Sequence, residues 1–189
     1  MTVAPGHAAA FAFEERDARL RDGRRVHVRP LGPADEDELL QAFHRLGAEA
    51  RYMRFMVAVR TPNVERLREV LASFPQKGLA IAATVPAGDG IDIVGAASCM
   101  KLPDERSCEF AITIVPDWGG AGLGRVLMES IIGAARACGA EQMRGYILSQ
   151  NAPMLRLAQR LGFATRRDPD DPSVKIATLD LRVAGAERR

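Results

Sequence analysis

Cysteine is scarce in this sequence, and the three that occur are not arranged as metal ligands or as paired thiols. Cys99, Cys108 and Cys138 form no C-x-x-C pair, and no histidine lies near them at ligand spacing. A disulfide framework and a zinc site are therefore excluded as the basis of the fold. The pattern instead predicts reduced thiols packed in the interior of an intracellular protein, and no bound metal.

Long hydrophobic runs and an excess of one charge are missing as well. No apolar stretch approaches the roughly 18 residues that a membrane span needs, and the N-terminus lacks the cationic-then-apolar order of a signal peptide. The formal net charge is only +2, with both signs interspersed, which gives no electrostatic basis for binding nucleic acid. These absences predict a cytoplasmic globular protein with neither a membrane nor a nucleic-acid partner.

Glycine, in contrast, is concentrated in one place. Residues 115–125 read VPDWGGAGLGR, between an apolar run and a long amphipathic segment. A glycine-rich turn at the start of a helix leaves several backbone N–H groups unpaired and pointing one way, which suits a phosphate or pyrophosphate group. We therefore interpret the stretch as a pyrophosphate-binding turn, with a flexible turn before an ordinary helix as the alternative. The candidate donors are the backbone amides of Gly119, Gly120, Ala121, Gly122, Leu123 and Gly124.

Two well-known phosphate-binding motifs do not fit this turn. The P-loop requires a lysine and then serine or threonine after the last glycine, where this chain has Arg125 and Val126. The dinucleotide fingerprint requires a third glycine three residues after the second of a G-x-G pair, and counted from Gly120 and Gly122 that position is Arg125. What remains is a G-x-G at Gly122 and Gly124 on a helix N-terminus.

The rest of the chain predicts one α/β (α+β) domain with a mixed, mostly antiparallel central sheet and helices on both faces. The domain is expected over residues 15–182, after a disordered lead-in at 1–14 and before a flexible tail at 183–189. Hydrophobic periodicity and turn residues predict strands at 25–29, 79–85, 91–100, 107–115, 143–148, 163–166 and 174–181. They predict helices at 33–46, 48–55, 64–73, 123–138 and 151–161.

The residues at the joints of these elements resemble the GNAT acetyltransferase superfamily. The resemblance spans residues 25–181 and is densest from Glu109 to Phe163, where the glycine turn, Asn151 and a terminal Leu161-Gly162 pair fall at the family's spacing. More narrowly, three segments look like the acetyltransferase domain of bacterial Pat-type protein-lysine acetyltransferases: residues 22–31 (DGRRVHVRPL), 49–55 (EARYMRF) and 108–111 (CEFA).

Two positions depart from the wider superfamily. Gly119 stands where Gln or Arg is usual, which removes one polar contact but not the backbone amides. Ala158 stands where the helix after Asn151 often carries a tyrosine proposed to protonate the departing thiolate. An apolar residue at this position is similar to the Pat group, and the group that protonates the thiolate is left unassigned.

The resemblance implies acetyl-CoA as the donor and a primary amine as the acceptor. It places the CoA diphosphate on the glycine turn and the amide-rich pantetheine arm along an exposed strand edge. The candidates on that strand are Ile112, Thr113 and Ile114, and a backbone N–H there would also hold the thioester oxygen. Asn151 is a further candidate contact for CoA, and capping of the following helix explains it as well.

Glu109 is the candidate general base, because an amine must lose a proton before it attacks. It is the lone carboxylate in an otherwise apolar strand, on the face opposite Phe110 and Ile112. The alternative is a solvent-facing glutamate on an edge strand, and the Pat-like match around Glu109 favours the catalytic role. Cys108 points to the other face, so no cysteine is placed for a covalent acyl-enzyme and direct transfer in a ternary complex is expected.

The acceptor follows less directly from the sequence. The Pat-like segments favour a protein lysine, and a small amine such as an antibiotic, a polyamine or an amino acid is the first alternative. A deep acidic pocket beside Glu109 would favour a small cation, and an open groove would favour a protein. A non-catalytic acyl-CoA-binding module is the second alternative.

Residues 51–56 (RYMRFM) mix basic and aromatic side chains and are interpreted either as a binding mouth or as core packing. A monomer and a homodimer are both compatible with the sequence.

Overall fold

The computed structural model describes residues 10–182, except residues 89 and 105. This part of the chain forms strands and helices separated by short turns. In order they are β1 Arg16–Arg19, β2 Arg25–Pro30, α1 Glu36–Arg45, α2 Ala48–Phe55, α3 Val64–Ala72, β3 Gly78–Ala87, β4 Gly90–Lys101, β5 Ser107–Ile114, α4 Leu123–Ala137, β6 Gln142–Leu148, α5 Ala152–Arg160, β7 Ala164–Arg167 and β8 Val174–Asp180. Single 3-10 turns precede α1 at Pro33–Asp35 and follow β5 at Pro116–Trp118.

The strands form one sheet in the order β1-β2-β3-β4-β5-β6-β8-β7. Neighbouring strands are antiparallel except for β5 and β6, which run parallel. Helix α4 packs on one face against β3, β4 and β5, while α1 and α2 contact β4 and β5 from the other face. The predicted single domain with a mixed, mostly antiparallel sheet and helices on both faces is confirmed.

The larger core lies between α4 and the sheet. Leu123, Leu127 and Ile131 recur every four residues, so they occupy one face of the helix, and each is at most 1% exposed. The sheet accommodates this face closely at Gly95 of β4, where an added Cβ would lie 3.1 Å from a methyl of Leu123. The three cysteines are free and buried in the same region, as the sequence predicts.

The start of the domain differs from the prediction. The expected lead-in at residues 1–14 falls partly on residues 1–9, outside the described residues, as does the expected tail at 183–189. Phe11, however, is only 3% exposed and packs into the larger core, and its N–H donates to the carbonyl of Pro75 at 3.2 Å. The chain is therefore attached to the domain before residue 15, through the buried ring of Phe11 and this backbone hydrogen bond.

Across the described residues, none of the helices combines the length and the apolar composition that a membrane span requires.

Candidate active site

The site begins where β5 and β6 separate. The two parallel strands pair only at Ser107 to Glu109 with Gln142 to Arg144. Beyond that point the ring of Phe110 lies over Gly145 and packs edge-on against Phe163, with ring centroids 5.2 Å apart. A side chain at Gly145 would collide with this ring, so glycine allows the ring to pack directly on β6. The gap opens into a cleft toward the glycine turn.

Gly145→Ala is expected to lower the free energy of unfolding by about 1–3 kcal/mol, the usual cost of overpacking a core. The added Cβ would stand 2.5 Å from two carbons of the Phe110 ring, so the ring has to move. Denaturant unfolding measures the loss. A variant as stable as the parent protein would show that the Phe110 ring does not lie over Gly145.

The separation leaves one edge of β5 without a strand partner. Residues 108–114 pair with β4 on the opposite edge, and the N–H of Val115 donates to the carbonyl of Val94. Since backbone groups alternate between the two edges of a strand, Thr113 also faces β4, whereas Ile112 and Ile114 face the cleft. Of the three strand residues predicted to bind the donor, two therefore offer free N–H and C=O groups, and Thr113 offers only its side chain.

The glycine turn adopts the conformation that its sequence requires. Gly120 and Gly122 have φ of +77° and +97°, a region that other residues rarely occupy. The amide of Gly119 donates to the carbonyl of Pro116 at 2.9 Å and is therefore not available to a ligand. The amides of residues 120–124 donate to no acceptor within the described part of the chain. Five adjacent donors at the N-terminus of α4 thus remain for an anion.

Two residues of the turn contribute their backbone only. Ala121 and Leu123 are 7% and 1% exposed and direct their side chains into the core. Gly124 allows close contact, because a Cβ there would lie 3.0 Å from a methyl of Leu157 and 3.1 Å from the Cδ1 methyl of Ile114. The start of α4 is therefore held directly against β5 and α5, next to the free strand edge.

Asn151 caps α5 and also lines the cleft. Its Oδ1 accepts from the N–H of Met154 at 3.1 Å, which satisfies one of the unpaired donors of the helix start. Capping uses only the side-chain oxygen. The side-chain nitrogen, Nδ2, has no hydrogen-bond partner in the described structure. Both interpretations of Asn151 made from the sequence are therefore compatible with its position.

Asn151→Ala is expected to reduce stability by about 1 kcal/mol, whereas Asn151→Asp keeps the capping oxygen and leaves stability unchanged. Thermal or denaturant unfolding of the two variants measures the difference. Equal losses in both would contradict a capping role for this side chain.

The cleft has a volume of about 500 Å³ and brings together most of the residues predicted from the sequence. Its lining includes Glu109, Ile112, Thr113, Ile114, Gly119, Gly120, Gly122, Gly124 and Asn151. The side chains of Ala121 and Leu123 do not reach it. Arg54 belongs to the segment 51–56, which the sequence marked as a possible binding mouth, and Arg125 directly follows the glycine turn. No sequence pattern indicated the other polar residues of the lining, Arg21, Tyr146, Arg156 and Arg160.

Glu109 lies half-buried in the cleft, on the sheet face opposite Cys108 and Phe110. Cys108 is fully buried in the core on the α4 side, as expected. Arg54 of α2 lines the cleft near Glu109. Burial lowers the pKa of the Arg54 guanidinium, and the negative charge of Glu109 opposes that shift. The two side chains thus form a loosely coupled pair of opposite charge in the described cleft.

Helix α2 provides one wall of the cleft and an exposed apolar surface beside it. Met53, Arg54 and Met56 line the cleft, while Tyr52, Phe55 and Val57 are 39%, 37% and 59% exposed. We refer to Tyr52, Phe55 and Val57 as the α2 patch. Both interpretations of residues 51–56 are compatible with this arrangement, because Arg51 and Phe55 also pack against the ring of Phe43.

A second cavity of about 530 Å³ lies between the first three helices and the sheet. Apolar side chains such as Leu39, Phe43 and Leu67 form most of its wall. It shares Arg54, Ala111 and Thr113 with the cleft, so the two spaces are neighbours. We refer to it as the α1–α3 cavity.

Comparison with curated proteins gives relatives along almost the whole chain. An acetyltransferase of Pseudomonas aeruginosa is 34% identical over 177 residues, covering 92% of this chain and 95% of that protein. Acetyltransferase Pat of Mycolicibacterium smegmatis is 26% identical over 163 residues, covering 86% of this chain. This chain spans only 48% of the length of that Pat protein.

Solved structures show the same fold. The GNAT domain of S. lividans PAT superposes with a TM-score of 0.80 at 20% identity, covering 94% of this chain and 99% of that one. The Salmonella typhimurium protein yncA, solved with its cofactor acetyl-CoA, has a TM-score of 0.63 at 21% identity and covers 86% of this chain and 98% of that one. The model of the acetyltransferase (GNAT) domain family matches residues 25–164. The chain therefore belongs to the GNAT acetyltransferase domain family.

Proposed function

We propose that this protein is an acetyl-CoA-dependent N-acetyltransferase that acts on a protein lysine by direct transfer, with Glu109 as the general base. Membership of the GNAT family carries the reaction class. The observation that carries the choice of acceptor is the α2 patch, an exposed apolar surface at the wall of the cleft.

The cleft has the groups that the donor requires. Acetyl-CoA supplies an acetyl thioester together with an anionic diphosphate and an amide-rich arm. The five unpaired amides of residues 120–124 fit the diphosphate, and the arginines of the lining add positive charge around it. The free backbone groups of Ile112 and Ile114 are suited to the amides of the arm, and an N–H of this edge is suited to the thioester oxygen.

Glu109 can lower the main energetic cost for the acceptor, which is the removal of a proton from its amine. A lysine with an ordinary pKa of about 10.4 is neutral in only about one molecule in 2,500 at pH 7, which costs roughly 4.6 kcal/mol. A carboxylate next to the amine accepts the proton as the nitrogen attacks. Among the described residues that line the cleft, Glu109 is the carboxylate in position for this step.

The charged residues of the cleft lining help to decide which class of amine is the acceptor. Its lining holds five arginines against the single carboxylate of Glu109. A polycationic small amine, such as a polyamine or an aminoglycoside, would find no carboxylate other than Glu109 in this described lining to pair with its further charges. A lysine in a protein brings one positive charge, and the surface around it can cover the α2 patch. These features favour the protein acceptor among the amines considered from the sequence.

A second candidate acceptor is a free amino acid with an apolar side chain. The α1–α3 cavity next to the cleft offers space for such a side chain, and Arg54 at the shared wall offers a cation for a carboxylate. This arrangement would place the α-amine on the Glu109 side. Of the α2 patch, Phe55 also lines the α1–α3 cavity, whereas Tyr52 and Val57 line neither space and have no part in this alternative.

Thiol release from acetyl-CoA distinguishes the two acceptors. The purified protein is assayed with a panel of lysine-bearing proteins and with apolar amino acids, alongside the double variant Y52S/V57S, which changes neither cavity lining. We expect turnover with proteins, and a kcat/KM for proteins that falls about tenfold or more in the variant, since losing apolar contacts worth about 1.4 kcal/mol has that effect. Turnover with amino acids alone, unchanged in Y52S/V57S, would contradict a protein acceptor. Binding of acetyl-CoA in calorimetry with no turnover on either panel would indicate a non-catalytic module.

A further inference from the structure

The acid that protonates the departing thiolate has no candidate on helix α5. The position at which related sequences often carry a tyrosine is Ala158, which is fully buried in the core. Its methyl group has no proton to give and does not line the cleft. If the thioester is broken in this cleft, the proton has to come from another element.

The polar side chains of the described cleft lining leave one suitable donor. Arginine is a far weaker acid than a phenol, threonine and asparagine do not ionise in the working range, and Glu109 is occupied as the base. A phenol ionises near pH 10 and a thiol near pH 8.5, so passing a proton from the phenol to the thiolate costs only about 2 kcal/mol. Tyr146 is the tyrosine among the residues that line this cleft.

Strand register places Tyr146 on the same face of the sheet as Glu109. Glu109 pairs with Arg144 in the parallel ladder between β5 and β6. Tyr146 lies two residues further along β6, and side chains two residues apart on a strand share a face. The neighbours Gly145 and Ile147 are buried on the other face. Glu109 and Tyr146 thus lie on the two strands that border the gap, one on each side.

The hydroxyl of Tyr146 is available. The side chain is half-buried, and its hydroxyl has no hydrogen-bond partner within the described part of the chain. The hydroxyl is not one of the buried side-chain atoms that lack a partner, so it is open to solvent and to a ligand in the cleft. An unpaired hydroxyl beside the opening between the strands is therefore suited to a group that arrives with the substrate.

We propose that Tyr146 is the general acid of the transfer. This inference rests on the proposed acetyl transfer. As the C–N bond forms and the C–S bond breaks, Glu109 takes the proton of the amine, and the Tyr146 hydroxyl gives its proton to the sulfur. The phenolate is then reprotonated by solvent, and the carboxyl group of Glu109 returns its proton to solvent. The sum is one amide and one thiol from one amine and one thioester.

Tyr146→Phe removes the proton and keeps the ring. We expect kcat to fall about 10²-fold, at the lower end of the range for general acid–base catalysis, because a thiolate leaves more easily than an amine or an alkoxide. Ser149→Ala is the control, since Ser149 carries an exposed hydroxyl just beyond the same strand and outside the cleft lining. Its kcat is expected to match that of the parent protein.

Binding gives a second readout that does not depend on turnover. Calorimetry at pH 9 compares CoA with desulfo-CoA, which lacks the sulfur. We expect the parent protein to prefer CoA about tenfold, the value of one hydrogen bond to a charged group, and Tyr146→Phe to lose that preference. A kcat in Tyr146→Phe within about twofold of the parent value would overturn the assignment. A reduced kcat with an unchanged CoA preference would also overturn it. Absence of turnover in the parent protein would instead refute the proposed transfer itself.

Discussion

Replacing Glu109 by Gln is expected to lower kcat by about 10²–10⁴, the usual contribution of a positioned general base. The substitution keeps the size and polarity of the half-buried side chain but cannot accept the proton of the amine. Affinity for acetyl-CoA is expected to stay unchanged, because the diphosphate is proposed to bind the free amides of residues 120–124 and not Glu109. Steady-state kinetics and calorimetry measure the two quantities.

The pH dependence of this variant makes the expectation sharper. Without a base the enzyme must wait for amine that is already neutral, and that fraction rises about tenfold per pH unit below the lysine pKa of about 10.4. The rate of Glu109→Gln is therefore expected to rise steeply between pH 7 and 10 and to approach the rate of the parent protein. Glu65→Gln, at an exposed position on α3, is the matched control and should behave as the parent protein. Unchanged turnover by Glu109→Gln at pH 7 would remove Glu109 from the mechanism.

Gly122→Val is expected to weaken acetyl-CoA binding on the order of 10²-fold. Gly122 has φ of +97°, where a β-branched residue is strained by about 1–3 kcal/mol, so the turn has to change its path. The amides of residues 120–124 then no longer point together, and each lost hydrogen bond to the charged diphosphate is worth about 1.5–3 kcal/mol. Calorimetric titration with acetyl-CoA measures the effect.

Gly133→Ala provides the control for this substitution. Gly133 lies on the exposed side of the same helix, and a Cβ there meets no atom within 4 Å. This variant is expected to keep the affinity and to gain about 0.5–1 kcal/mol in stability, because alanine is the better helix former. Normal affinity in a folded Gly122→Val protein would show that the diphosphate is bound elsewhere.

The parts of the site that depend on local chain geometry could be predicted from the sequence. The glycine turn needs positive φ at Gly120 and Gly122, and only glycine tolerates that conformation at no cost. Asn151 is a capping residue followed by Pro153, a pattern with a local physical cause. The alternation of apolar and polar residues along β5 is by itself enough to predict that Glu109 and Cys108 lie on opposite faces.

The parts that depend on packing between distant segments could not be predicted in this way. The unpaired edge of β5 begins where its pairing with β6 stops, and the contact at that point joins Phe110 to Gly145, which lie 35 positions apart in the sequence. Likewise, Arg21, Arg156 and Tyr146 reach the cleft from three separate elements. Hydrophobic periodicity predicts which face of a strand or helix a residue occupies. It does not predict which residues of other segments will lie next to it, and the role of these three residues depends on those contacts.

Backbone hydrogen bonding corrected two finer expectations. Gly119 was expected to donate to the ligand, and its N–H instead closes the 3-10 turn at Pro116–Trp118. Thr113 was expected to offer its backbone to the donor, and the register with β4 turns those groups away from the cleft. In both cases the residue type is compatible with donor binding, but the backbone N–H is already directed to a partner within the protein.

A crystal structure of the protein with acetyl-CoA tests the central claim most directly. The account predicts diphosphate oxygens about 3 Å from the amide nitrogens of residues 120–124, with the thioester in the gap between β5 and β6 beside the Glu109 carboxylate. A diphosphate bound away from the glycine turn, or a thioester that Glu109 cannot approach, would contradict the account.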